Sequence, residues 1–136
     1  MKTIETKAGS ISLIYEDRDV IALSKPAGLL SQRAEGSNEA SLLEYLSEHT
    51  GGEVFPLHRL DRMTSGVMIV AKSKRAAAEM TKIITDGALV KEYSAVVLGK
   101  AEGGTLQDLL FFDRGRDKSF VVKKEGRRGV KKASLE

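Results

Sequence analysis

Residues 66–71, "GVMIVA", are an unbroken apolar run of strand length, with no polar side chain alternating through it. Such a run reads as a strand buried on both faces. A strand of that kind needs neighbours, and the chain supplies candidates. In "ISLIYEDRDVIALSKPAG", residues 11–15 and 20–24 read as two short strands around a polar turn at 16–19. Pro26 and Gly28 end the second of them. Past the apolar run, "ALVKEYSAVVLG" at 88–99 alternates and is rich in β-branched residues, which reads as another strand. A short apolar segment in "TLQDLLFF", a strand at 119–123 and the start of a last strand at "GVKKASLE" follow.

Two helices interrupt this pattern. Leu42, Leu43, Tyr45 and Leu46 recur at helical spacing, Ser41 and Glu44 fit a capping box, and "GG" at 51–52 ends the element. "SKRAAAEMTKIITDG" reads as a second helix, with Ser73 as N-cap and Gly87 as the stop. The expected fold class is α+β, with a mainly antiparallel or mixed sheet and two helices. With 136 residues there is room for one domain, taken as 11–136 behind a tail at 1–10. Neither common Gly-rich phosphate loop occurs.

Composition narrows the chemistry. There is no cysteine, which excludes disulfides, thiolate catalysis and cysteine-bound metal, and only two histidines are present. No stretch approaches the roughly 18 apolar residues of a membrane span, and the first residues show no signal-peptide pattern, so the expected location is cytoplasmic with no membrane partner. Aromatic residues at 5% are too few for a broad base-stacking platform. Charge is uneven: residues 1–113 carry 13 basic against 16 acidic residues, whereas residues 114–132 carry nine against two. That basic stripe is either a solvated hairpin or a surface for phosphates.

The densest cluster of chemistry is "FPLHRLDRMTSG" at 55–66. Asp61 can act as nucleophile or proton acceptor, and Arg59 and Arg62 beside it attract phosphates. A second reading is a local turn in which Thr64 and Ser65 donate to Asp61. Gly66 lets the backbone turn sharply or approach a ligand closely. His58 reads as a general base or ligand, or as a buried histidine held by one hydrogen bond. Tyr93 reads as strand packing, or as a phenol that stacks on a base or exchanges a proton. Lys25 in "KPAG" belongs to a plain turn or reaches into a cleft.

"YEDRDVIALSKPAGLLSQ", "HRLDRMTSGVMIVAKSKRAA" and "VKEYSAVVLGK", in this order, resemble the RluA-like family of RNA pseudouridine synthases. The resemblance implies the catalytic-domain fold of that family and isomerisation of selected uridines in ribosomal or transfer RNA, without cofactor or metal. It implies Asp61 as the catalytic carboxylate, Arg59 entering the RNA stack while the target base is turned out, and Tyr93 as a second catalytic residue that lines the uracil pocket and assists loss of the carbon 5 proton. Lys25, His58, Arg62, Thr64, Ser65 and Gly66 are expected on the substrate side. It also implies further strands and an arginine-bearing motif after the matched segment, so the chain is expected to be a truncated catalytic domain. From that follow two further expectations: self-association through exposed sheet edges, and, as the alternative function, an inactive RNA-binding or self-associating fragment.

Overall fold

The computed structural model describes residues 2–100, 102–116, 118–123 and 128–136, and the chain divides into two units, 1–91 and 92–136. In the first unit, β1 (Lys2–Thr6) and β2 (Gly9–Glu16) form a hairpin, and β3 (Val20–Lys25) pairs antiparallel with β2 across a bulge between Leu13 and Tyr15. The short β4 (Phe55–Pro56) and the apolar run, now β5 (Gly66–Ala71), complete an antiparallel sheet of order β1-β2-β3-β5-β4. The β3–β5 ladder runs from Val20 opposite Ala71 to Lys25 opposite Gly66. This register sets the end of β3 beside the start of β5, where the Asp61 motif emerges.

Two sequence expectations change here. The N-terminal tail contains β1, because Ile4 and Thr6 alternate inward along "KTIET" and pair with β2. In β5, Met68 and Val70 are fully buried but Val67 is 57% exposed, so the run is covered on one face only over its first half.

Ile11, Leu13, Ile21, Leu23, Met68 and Val70 project from the sheet onto Leu42 and Leu46 of α1 (Leu42–Thr50), with Leu29, Val54 and Leu60 closing the core. Each such buried side chain contributes about 1.5–3 kcal/mol. The capping box at Ser41 and Glu44 forms as expected, and Gly51 at φ 69° takes the left-handed conformation that ends α1. α2 (Lys74–Ile83) starts at Ser73, whose side chain accepts from the Ala76 N–H, and runs into a wider turn at 84–88 containing Gly87.

The second unit holds β6 (Leu106–Asp113), β7 (Lys118–Val122) and β8 (Val130–Leu135) as an antiparallel sheet of order β7-β6-β8. Leu106, Phe112, Val121 and Leu135 are exposed on it. The strand expected at 88–99 does not form: among the described residues none pairs with this segment, and Val90, Val96, Val97 and Leu98 are exposed. β-branched alternation records fitness for a pleated, half-buried surface, and without a partner strand that preference has nothing to act on. The basic stripe at 114–132 lies partly outside the described residues, which omit 117 and 124–127.

Candidate active site

The chain leaves the sheet at His58. Leu57 N–H donates to the Ile69 carbonyl at 3.2 Å, the last backbone bond on this edge of β5, and the Ile69 N–H is then taken up by His58 Nε2 at 3.2 Å. An acceptor Nε2 puts the neutral ring's proton on Nδ1, which is buried and has no partner among the described residues. Burial first, and the Lys91 charge second, lower the His58 pKa below the ordinary histidine range. Protonation would also turn Nε2 from acceptor to donor and break its bond to Ile69.

The sign of the pH effect follows from linkage. Between the lowered folded value and the ordinary value of about 6.5 the unfolded chain binds more protons, so this contribution to stability declines as pH falls through that window. Thermal unfolding from about pH 7.5 down to about pH 5.5 is expected to show a steeper loss for the parent than for His58→Gln, whose amide oxygen accepts the same N–H without titrating. Equal slopes would contradict this role.

Past His58, two neighbours of Asp61 are tied to the loop that follows β3. Ser31 is buried; its Oγ donates to the Leu60 carbonyl at 2.6 Å and accepts from the Leu60 N–H at 3.3 Å. On the other side, the Arg62 carbonyl accepts from the Gly28 N–H at 2.8 Å and from Lys25 Nζ at 3.1 Å. Arg62 Nε returns a bond to the Gly28 carbonyl at 3.0 Å. The backbone on both sides of Asp61 is therefore pinned.

Lys25 is fully buried, and its ammonium donates to three carbonyls, of Pro26 at 3.0 Å, Leu29 at 2.8 Å and Arg62. Three donors meet three acceptors, which is what makes a buried ammonium tolerable. Burial lowers its pKa, while the Asp61 carboxylate pulls the other way. Of the two sequence readings, neither describes this: the side chain does not reach an open cleft, and it braces more than a plain turn.

Asp61 itself is exposed, and among the described residues no side chain or N–H is hydrogen-bonded or ion-paired to its carboxylate. The local turn exists, but in the backbone: Thr64 N–H donates to the Asp61 carbonyl at 3.0 Å. Gly66 follows at φ 133°, a conformation open to glycine, and carries the chain into β5. Arg59 and Ser65 are exposed, Thr64 is half-buried, and Arg62 turns away from Asp61 toward Glu39, at 3.0 Å.

Tyr93 belongs to the second unit and is 61% exposed, outside any strand. The first unit thus brings Lys25, His58, Arg59, Asp61, Arg62, Thr64, Ser65 and Gly66 to one segment. Ser31, Gly28 and Glu39 were not anticipated as contributors, because their partners lie far along the chain and no local spacing marks them. Among the described residues no group of three or more His, Asp or Glu is placed to hold a metal ion, and no helix is long and apolar enough to cross a membrane.

An antiparallel α+β unit that presents a lone carboxylate on a braced loop between two arginines matches a known class. Residues 19–135 match the RNA pseudouridylate synthase family, and the chain belongs to that family. Within it, the chain is 35% identical over 100 residues to tRNA pseudouridine synthase C of Vibrio cholerae, covering 72% of this chain and 41% of that protein. It is 32% identical over 126 residues to ribosomal large subunit pseudouridine synthase C of Rickettsia bellii, covering 91% of this chain and 38% of that protein. The solved structure of human RNA pseudouridylate synthase domain containing 1 shares the fold, with a TM-score of 0.70 at 21% identity, over 98% of this chain and 52% of that one. The chain therefore spans about half the length, or less, of the relatives it matches.

Proposed function

We propose that this chain carries the uridine-isomerising centre of an RNA pseudouridine synthase, acting in the cytoplasm on uridines of transfer or ribosomal RNA with Asp61 as the catalytic carboxylate. The observation that carries the reading is the state of Asp61: its carboxylate is exposed and, among the described residues, has no hydrogen-bond or ion-pair partner, while hydrogen bonds hold the backbone at Leu60 and Arg62. A carboxylate kept merely for structure would be paired, and one left on a mobile loop would be poorly aimed.

The reaction breaks the bond from ribose C1′ to uracil N1 and forms one from C1′ to C5. The proton leaving C5 balances the proton gained at N1, so atoms and electrons are conserved. Asp61 adds to the sugar or the base, or removes a ribose proton, and so opens the glycosidic bond. The target base must first leave its stack, at a cost of a few kcal/mol. Arg59, exposed beside Asp61, takes the vacated place, and Tyr93 stacks on the uracil. Thr64, Ser65 and Gly66 shape the approach to Asp61, and Arg62 meets the phosphates. Lys25 and His58 serve this site by holding its backbone rather than by touching RNA.

Incubation with unmodified transfer and ribosomal RNA transcripts, followed by nucleoside chromatography, tests the reading. Pseudouridine is expected from the folded chain. Its absence from every transcript, with the fold verified by circular dichroism, would overturn the proposed activity.

A further inference from the structure

On the side of the loop after β3, where the Arg62 side chain points, lies a cavity of about 430 Å³ lined by Lys7, Gly28, Asn38, Glu39, Tyr45 and Arg62 among others. Two of its walls are cationic, and Asn38 and Tyr45 add hydrogen-bonding groups. Its one carboxylate, Glu39, lies against the Arg62 guanidinium, with Nη2 at 3.3 Å and 3.0 Å from the two carboxylate oxygens. The other edge of the guanidinium, Nε, is fixed on the Gly28 carbonyl at 3.0 Å.

We propose that this cavity is a subsite for a backbone phosphate of the RNA strand next to the target uridine, and that Glu39 holds the phosphate's place on Arg62 until RNA arrives. The inference rests on the RNA reading above and deepens it. Arg62 directly follows Asp61 in the chain but carries its guanidinium away from it toward Glu39, so the phosphate it would meet belongs to a nucleotide next to the target along the strand. The Gly28 bond orients the guanidinium in advance, which reduces the ordering that binding would otherwise require. Carboxylate and phosphate oxygens suit the same guanidinium donors. The Glu39 side chain is 58% exposed, and an ion pair that open is weak enough for an incoming phosphate to displace. Lys7 supplies the second cation that favours the phosphate over the carboxylate.

The test is fluorescence anisotropy with a labelled, uridine-containing RNA hairpin across a salt series. Glu39→Gln is expected to bind about two- to fivefold tighter than the parent. Arg62→Gln is expected to bind more weakly and to lower the log–log salt slope by about 0.7, the loss of one phosphate contact. In the Arg62→Gln background the gain from Glu39→Gln is expected to vanish, and Lys7→Gln is expected to weaken the parent. All three residues are exposed, so none of these exchanges removes a buried contact. An unchanged affinity for Glu39→Gln, or the same gain with Arg62 absent, would overturn the subsite while leaving RNA binding intact. No salt-sensitive RNA binding by the parent would overturn the RNA reading, and the subsite with it.

Discussion

Replacing Lys25 by methionine is expected to lower the melting temperature of the first unit by more than about 10 °C, one of the largest stability losses a single exchange could cause here. Methionine keeps the volume and suits an apolar surrounding, so packing is not the reason. The reason is three backbone carbonyls, of Pro26, Leu29 and Arg62, that lose their shared donor; the Leu29 bond is buried, the other two are partly buried, and the Arg62 carbonyl keeps the Gly28 N–H. Bonds to a charged donor are worth about 1.5–3 kcal/mol each, and stranded acceptors keep their desolvation cost, so a loss of roughly 3–5 kcal/mol is expected. Lys74→Met, at an exposed position on α2, serves as the comparison and is expected to change stability by less than about 0.5 kcal/mol. Urea denaturation of both variants measures the difference. A Lys25→Met protein within about 1 kcal/mol of the parent would show that the three carbonyls do not depend on the ammonium.

The Lys25 brace also marks where the sequence stops being informative. The bond from Lys25 to the Arg62 carbonyl links positions 37 residues apart, and neither periodicity nor capping chemistry reports a side-chain nitrogen meeting a distant carbonyl. Ser31 is equally silent: in "GLLS" it looks like a loop serine, and only the folded register shows it gripping Leu60 from both sides. Elements made by local forces were legible. The caps at Ser41 and Ser73 and the strands around 11–15, 20–24 and 66–71 follow from residue spacing and turn chemistry alone. Segment 88–99 has the same local signal as a strand, yet forms none among the described residues, because a strand exists only with a partner. β1 shows the reverse: "KTIET" is mostly polar, and its pairing with β2 makes the strand. The motif around Asp61 could be located in the sequence, but the difference between a paired and an unpaired carboxylate could not. That difference is the one the proposed chemistry depends on.

Exchange of Asp61 for asparagine is expected to reduce uridine isomerisation by at least about 10²–10⁴-fold, the scale of a lost acid–base group, and to abolish it if the carboxylate bonds covalently to the substrate. The side chain keeps nearly the same size and polarity, and its carboxylate makes no hydrogen bond or ion pair among the described residues. Stability should therefore change by less than about 0.5 kcal/mol, apart from the loss of attraction to buried Lys25. RNA affinity should persist, because phosphate contacts come from cations that remain. A fall in activity with fold and RNA binding retained separates a catalytic carboxylate from one that only shapes the loop. The direct measurement is release of tritium from RNA labelled at uridine carbon 5, with the parent chain and Asp61→Asn side by side at equal RNA occupancy. Release by the parent and none above background by the variant is the expected result; equal release from both, or none from a folded, RNA-bound parent, would contradict Asp61 as the carboxylate that isomerises uridine in this chain.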